Sequence, residues 1–66
     1  MTLRRGMSGD IVEKLQTRLK ELRALVGRAD GDFGGGTESA VKTFQRSAGL
    51  TPDGRVGPKT WKALGF

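Results

Sequence analysis

The fold is decided by a stretch that occurs twice: residues 30–41 read DGDFGGGTESAV, and residues 53–64 read DGRVGPKTWKAL. Both copies follow the pattern Asp-Gly-x-apolar-Gly-x-x-Thr-x-x-Ala-apolar, so the chain contains an internal repeat. In each copy we expect the Asp to accept backbone N–H groups and the following Gly to adopt a positive φ. The apolar residue should enter the core, the second Gly should begin a helix, and the Thr should bond back across the first helical turn. The repeat therefore predicts two turn-then-helix units of one design.

Proline and glycine positions set the limits of the two helices in the repeat. Pro58 suits the first position of a helix, which predicts a last helix over residues 58–64. By analogy Gly34 should be the N-cap of the preceding helix, over residues 35–48. Gly49 then stands where helices favour a left-handed stop, with Leu50 after it.

Upstream of the repeat, apolar residues spaced by three and four indicate one further helix, at about residues 9–25. Its apolar stripe comprises Val12, Leu15, Leu19, Leu22 and Val26. Either Ser8 or Asp10 is placed to cap its start, and Glu13 would complete a capping box with Asp10. No stretch of useful length alternates with period two. We therefore predict an all-α fold, a compact three-helix bundle with two Asp-Gly turn loops, as a single domain over residues 1–66.

The composition excludes several functional classes. The 66 residues include 12 Lys or Arg, 7 Asp or Glu, no Cys and no His, with a net charge of +5. Without thiolate or imidazole, this chain cannot build a zinc, haem or iron–sulfur site, or a His-dependent nucleophile. No apolar stretch approaches the roughly 20 residues that span a bilayer, and the first residues lack a signal-peptide core. We expect no membrane insertion.

The acidic residues do not form a convincing catalytic or metal site. Asp30 and Asp32 have the spacing of the first two ligands of a calcium loop, but Gly34 and Val41 stand where an oxygen ligand and a bidentate Glu are required. Asp is also the residue expected in such turns for backbone reasons. We therefore expect no catalytic residue, no metal and no cofactor.

Glutamines and aromatic residues are further candidates for contact with a ligand. Gln16 and Gln45 each follow a core position of a helix, at the edge of its apolar stripe, where the amide can satisfy loop carbonyls or face a ligand. Phe33 and Trp61 are able to stack on a sugar ring, although the spacing of Trp61 to Leu64 favours a place in the core. These alternatives stay open at this point.

The combination of motifs resembles the type 1 peptidoglycan-binding domain family, whose members are attached to many cell-wall hydrolases. The resemblance spans residues 3–64 and rests on an ordered set of residues: Leu3, Arg4, Gly6, Gly9, Val12, Leu15, Gln16, Leu19, Leu22, then Asp30, Gly31, Phe33, Gly34, Thr37, Ala40, Val41, Phe44, Gln45, Gly49, Leu50, and finally Asp53, Gly54, Val56, Gly57, Pro58, Thr60, Trp61, Leu64. Arg23 and Ala24 depart from the family pattern of Gly followed by an aromatic residue, which predicts a longer first helix.

The resemblance implies a three-helix, non-catalytic anchor that binds peptidoglycan through its glycan strand or its stem peptide. The implied partner is a tethered hydrolase domain, as in a phage endolysin or a bacterial hydrolase, and the implied location is the bacterial cell wall or periplasm. We expect a monomer. The two Asp-Gly turns are the expected contact surface, and the candidate ligand-binding residues are Asp30, Gly31, Phe33, Gly34, Asp53, Gly54, Val56 and Gly57, with Arg28 and Arg55 meeting stem-peptide carboxylates, and with Gln16, Gln45 and Trp61 as further candidates.

The basic charge allows a different class of function, a small helical nucleic-acid-binding domain. Such a domain needs a one-sided basic face and base-reading side chains at the start of a recognition helix. Here the basic residues are spread over both halves of the chain, and the second helix begins with Gly35, Gly36, Thr37 and Glu38. We therefore expect no specific nucleic-acid partner. A protein-docking module without a polymer ligand is a third possibility.

Overall fold

The computed structural model describes residues 2–24 and 27–66, which form three helices. Helix α1 spans Asp10–Glu21, α2 spans Gly35–Ser47 and α3 spans Pro58–Ala63. The predicted all-α three-helix bundle is confirmed, and the two helices of the repeat end within one residue of their predicted limits.

One hydrophobic core joins the three helices and both turns. Phe33 is 2% exposed and Val56 is 0% exposed, as the repeat predicted for the apolar residue of each turn. Phe44 and Trp61 are partly buried and pack against this core. Its fully or almost fully buried members are Leu3, Val12, Leu15, Leu19, Phe33, Ala40, Val41, Val56 and Leu64.

The segment before α1 runs along both turns and ties them together through backbone hydrogen bonds. Leu3 and Val56 exchange N–H···O bonds of 3.1 and 2.8 Å in an isolated antiparallel bridge. Farther along, the Gly6 N–H donates to the Phe33 carbonyl, and the Gly9 N–H donates to the Gly31 carbonyl, both at 2.9 Å. The helical periodicity contained no signal for this pairing, which holds the two turns in fixed positions.

The predicted extension of α1 to about residue 25 is wrong, because the helix ends at Glu21. Arg23 adopts a left-handed φ of 62°. Its N–H donates to the Lys20 carbonyl at 2.9 Å, and the Ala24 N–H donates to the Leu19 carbonyl at 2.8 Å. This pair of bonds is a Schellman stop, here formed with Arg at the position that usually holds Gly.

Two consequences follow for the predicted apolar stripe of α1. Leu22 lies beyond the end of the helix and is 40% exposed, so it does not belong to the core. Val26, the last predicted member, and Leu25 lie outside the described residues.

The helix starts are capped by glycine rather than by side chains. Gly9 is the N-cap of α1 and makes no side-chain cap, so the expected cap by Ser8 or Asp10 is wrong. Gly34 is the N-cap of α2, as the repeat predicted. At the other end of α2, Gly49 has a φ of 74° in the predicted left-handed stop. None of the helices within residues 2–24 and 27–66 combines the length and apolar character needed to cross a bilayer.

Candidate functional site

A buried glutamine from α1 braces the first Asp-Gly turn, residues 27–34. The two N–H groups of the Gln16 amide are shared among three acceptors, the Asp30 carboxylate at 3.0 Å, the Asp32 carbonyl at 2.9 Å and the Thr37 hydroxyl at 2.9 Å. The amide oxygen accepts the Gly31 N–H at 2.7 Å. One side chain therefore connects α1, the turn and the first turn of α2.

The second Asp-Gly turn, residues 50–57, has the same network around Gln45 of α2. The two N–H groups of its amide are shared among the Asp53 carboxylate at 3.0 Å, the Arg55 carbonyl at 2.8 Å and the Thr60 hydroxyl at 3.2 Å. Its oxygen accepts the Gly54 N–H at 3.0 Å. The internal repeat of the sequence is thus a repeat of hydrogen bonds.

These networks decide between the two roles left open for the glutamines. Gln16 and Gln45 are each 1% exposed, and each amide contacts one backbone N–H and one backbone carbonyl. Because an N–H only donates and a carbonyl only accepts, the orientation of each amide is set by its partners. Both glutamines therefore brace the turns. The repeat threonines serve as acceptors for them, instead of bonding back across the helix start.

The aspartates of the two turns are held in their charged form. The backbone N–H of Asp32, then the Gln16 amide, lowers the pKa of Asp30 below its usual value. The backbone N–H of Arg55, then the Gln45 amide, lowers the pKa of Asp53 in the same way. Each Asp accepts an N–H two residues on, at 3.0 and 2.9 Å, in the predicted Asx-turn. The φ values of Gly31 and Gly54, 80° and 77°, are positive as predicted.

Each braced turn forms one wall of an open groove. The first groove, about 440 Å³, lies between the end of α1, the first turn and the start of α2, and its charged residues are Arg28, Asp30 and Asp32. The second groove, about 600 Å³, lies between the end of α2, the second turn and the start of α3. Its lining includes Leu50, Asp53, Arg55, Pro58 and Lys59. Both volumes fall in the range of roughly 300–1,000 Å³ that is usual for small-molecule sites.

The structure separates the predicted site residues into two sets. Those at the grooves are Arg28, Asp30 and Gly34 in the first, and Gln45, Asp53, Arg55 and Gly57 in the second. Phe33 and Val56 are buried in the core, so Phe33 does not present a face on which a sugar ring could stack. Gly31 and Gly54 are also buried. The Trp61 ring packs edge-to-face on Phe66, with centroids 5.1 Å apart.

Several side chains at the grooves were not among the predicted site residues. They include Leu50, Pro58 and Lys59 in the second groove and Asp32 in the first. Leu50 and Pro58 were assigned only to helix ends, and Lys59 was treated as a variable repeat position. The sequence did contain a signal for Lys59. Its counterpart in the first copy of the repeat is Gly36, so the two turns differ by a cation at this position.

The arrangement suits recognition by charge and hydrogen bonding. Arg28 and Arg55 are exposed beside their grooves, where guanidinium groups are able to pair with carboxylates. Within residues 2–24 and 27–66, no three acidic side chains converge as ligands for a metal ion.

Comparisons with known proteins agree with the repeat and its geometry. The family model of the peptidoglycan binding domain matches residues 8–64. A spore cortex-lytic enzyme of Bacillus cereus is 45% identical over 62 residues, an alignment that covers 94% of this chain and 24% of that enzyme. The chain thus spans about a quarter of that relative.

Solved structures show the same backbone. The crystal structure of the SleB N-terminal domain superposes with a TM-score of 0.95 at 44% identity, covering 97% of this chain and 88% of that domain. A Burkholderia AP3 phage endolysin gives a TM-score of 0.92 at 42% identity, covering 98% of this chain and 25% of the endolysin. With a family match over most of its length, the chain belongs to the peptidoglycan-binding domain family.

Proposed function

We propose that this chain is a non-catalytic module that binds bacterial peptidoglycan and holds a tethered cell-wall lytic enzyme on its substrate. The observation that carries the proposal is the pair of grooves beside two identically braced turns, in a fold whose family is defined by peptidoglycan binding. A polymer of repeating units suits such a module, because neighbouring units offer many equivalent binding positions.

The mechanism is targeting rather than chemistry. A weak contact that keeps an enzyme close to the polymer raises the local concentration of cleavable bonds around the enzyme. The braced turns serve this purpose, since a rigid surface loses little conformational freedom when it binds. The attached enzyme is a cell-wall hydrolase of the endolysin or spore cortex-lytic type in this proposal. The location is the bacterial cell wall or periplasm, and the module acts as a monomer.

The proposed contact surface is the rim of the two turns. Arg28 and Arg55 supply charge-assisted hydrogen bonds to anionic groups of the polymer. The aspartates of the turns hold the loop backbone in shape, and Gln16 and Gln45 act beneath them. Substitutions at these four residues are therefore expected to weaken binding through the shape of the turn.

Co-sedimentation of the pure domain with purified peptidoglycan tests the proposal, at low salt and at about 1 M salt, where screening reaches about 3 Å. Duplex DNA serves as a second ligand, because a net charge of +5 attracts any polyanion. We expect the domain to remain on peptidoglycan at high salt and to leave DNA.

A charge-matched pair of variants tests the contact surface in the same assay. Arg28→Ala with Arg55→Ala should lower the retained fraction at high salt. Lys14→Ala with Arg46→Ala removes the same charge from exposed helix positions and should retain wild-type binding. Loss of the wild-type domain from peptidoglycan in parallel with its loss from DNA would reject the proposed function.

A further inference from the structure

The internal repeat allows the two grooves to be compared position by position. Asp53 corresponds to Asp30, so each residue from Asp53 to Leu64 has a counterpart 23 positions earlier. The hydrogen bonds of Gln16 and Gln45 are equivalent, and Gly31 and Gly54 have matching φ values of 80° and 77°. The two grooves can therefore be compared by the side chains on their walls.

The charges on the walls have opposite balance. The residue after the turn glycine is Asp32 in the first groove and Arg55 in the second, and Lys59 of the second groove replaces Gly36 of the first. Asp32, Arg55 and Lys59 are all exposed, so their charges are accessible to an incoming ligand. The first groove therefore carries two carboxylates and one cation, whereas the second carries one carboxylate and two cations.

The net charge of the wall residues is therefore negative in the first groove and positive in the second. Asp30 and Asp32 outnumber Arg28 in the first groove, whereas Arg55 and Lys59 outnumber Asp53 in the second. An anion entering the first groove would meet an excess of like charge, and in the second groove it would meet an excess of opposite charge.

The grooves also differ in size. The second groove has a volume of about 600 Å³ and the first about 440 Å³. Leu50 and Pro58 supply apolar wall in the second groove, as Ala24 and Ala40 do in the first. The second groove therefore combines more space with positive charge.

We propose that the second groove binds the carboxylate end of a peptidoglycan stem peptide, with Lys59 and Arg55 as partners of the carboxylate and with Leu50 and Pro58 against the alanine methyl groups. This inference rests on the proposed function and narrows it to one groove and one part of the polymer. The first groove, with its excess carboxylate, does not receive this group.

The test is an NMR titration of the ¹⁵N-labelled domain with diacetyl-L-Lys-D-Ala-D-Ala and with the same peptide amidated at its C-terminus. The free acid should shift amide signals around residues 49–60, and the amidated peptide should bind about tenfold more weakly, because one charge-assisted contact is worth roughly that factor. The double substitution Lys59→Gln with Arg55→Gln should lower the affinity of the domain for the free acid by about tenfold or more, on the same basis.

The matched control removes the same charge from two exposed helix positions outside both grooves, as Lys14→Gln with Arg46→Gln. This control should bind the free acid like the wild type. Shifts centred on residues 27–37, equal affinity for the two peptides, or equal losses in the two variants would overturn the inference. No response to the peptide by a domain that sediments with peptidoglycan would also overturn it, while leaving the proposed function standing. Failure of sedimentation as well would reject both.

Discussion

Replacement of Gln45 by Met tests whether the buried amides hold the two turns in place. Met has nearly the same length and volume as Gln, so the side chain still fills its site while all four hydrogen bonds of the amide are lost. The Gly54 N–H and the Thr60 hydroxyl are both buried and both bond to this amide, at 3.0 and 3.2 Å. The substitution therefore isolates hydrogen bonding from packing.

The expected cost is large relative to the stability of so small a domain. A buried polar group without a partner costs about 1–3 kcal/mol, so two such groups cost about 2–6 kcal/mol. A chain of 66 residues has a total unfolding free energy of about 3–10 kcal/mol at about 0.05–0.15 kcal/mol per residue. The Gln45→Met domain should thus lose a large part of its stability, and its Tm should fall by about 10 °C or more.

Thermal and guanidinium unfolding followed by circular dichroism measure this loss. Arg46→Met is the control, because it places the same side chain on the same helix at an exposed position. Gln16→Met should behave like Gln45→Met, since its network is equivalent. A Tm for Gln45→Met within about 3 °C of the control, which is less than 1 kcal/mol, would refute the bracing role.

Three further substitution experiments follow from the structure. Arg23→Gly should raise the free energy of unfolding by about 0.5–1 kcal/mol, because a left-handed φ of 62° strains residues other than Gly. Arg23→Ala should give no such gain in the same melts. Asp30 and Asp53 have pKa values below the ordinary Asp value of 3.8. Their contribution to stability is therefore complete above that value and is lost as the pH falls through the pKa values of the folded state. Asp30→Asn with Asp53→Asn should flatten the acid side of the stability profile, and an unchanged slope below pH 3.8 would contradict this assignment. Arg18→Met should cost about 1–2 kcal/mol, since its guanidinium donates at 2.6 Å to the C-cap carbonyl of α3; Lys14→Met, on the same helix, should melt like the wild type.

The parts of the fold that the sequence predicted well are those specified by residues that both copies of the repeat share. Pro58 marks a helix start without ambiguity, and the shared pattern transfers that start to Gly34. The Asp-Gly pairs likewise specify a local backbone conformation, because the preference of Gly for positive φ acts within one residue. These features depend on neighbours in sequence, so no knowledge of the tertiary structure was needed.

The end of α1 shows where local reasoning failed. Arg is a good helix former, and its presence where the family has Gly indicated continuation of the helix. In the structure the backbone turns at Arg23 all the same. The intrinsic preference of one residue was overridden by the path that the chain must take towards the first turn.

The candidate site was predicted only in part. The turn residues and Arg55 belong to the repeat and Arg28 stands just before it, so the sequence could identify them, and the structure places Arg28 and Arg55 on two grooves. The roles of Gln16 and Gln45 could not be decided, because an angular position on a helix gives a direction but no partner.

The sequence by itself determined the fold class, the position of both turns and the charge difference between the two copies of the repeat, since each of these is carried by residue type and spacing along the chain. Only the tertiary structure decided that the glutamines are buried braces and that the segment before α1 bridges the two turns. It also decided that Lys59 shares a groove with Leu50 and Pro58. Those outcomes depend on which groups from distant parts of the chain meet, and on the requirement that every buried polar group find a partner there.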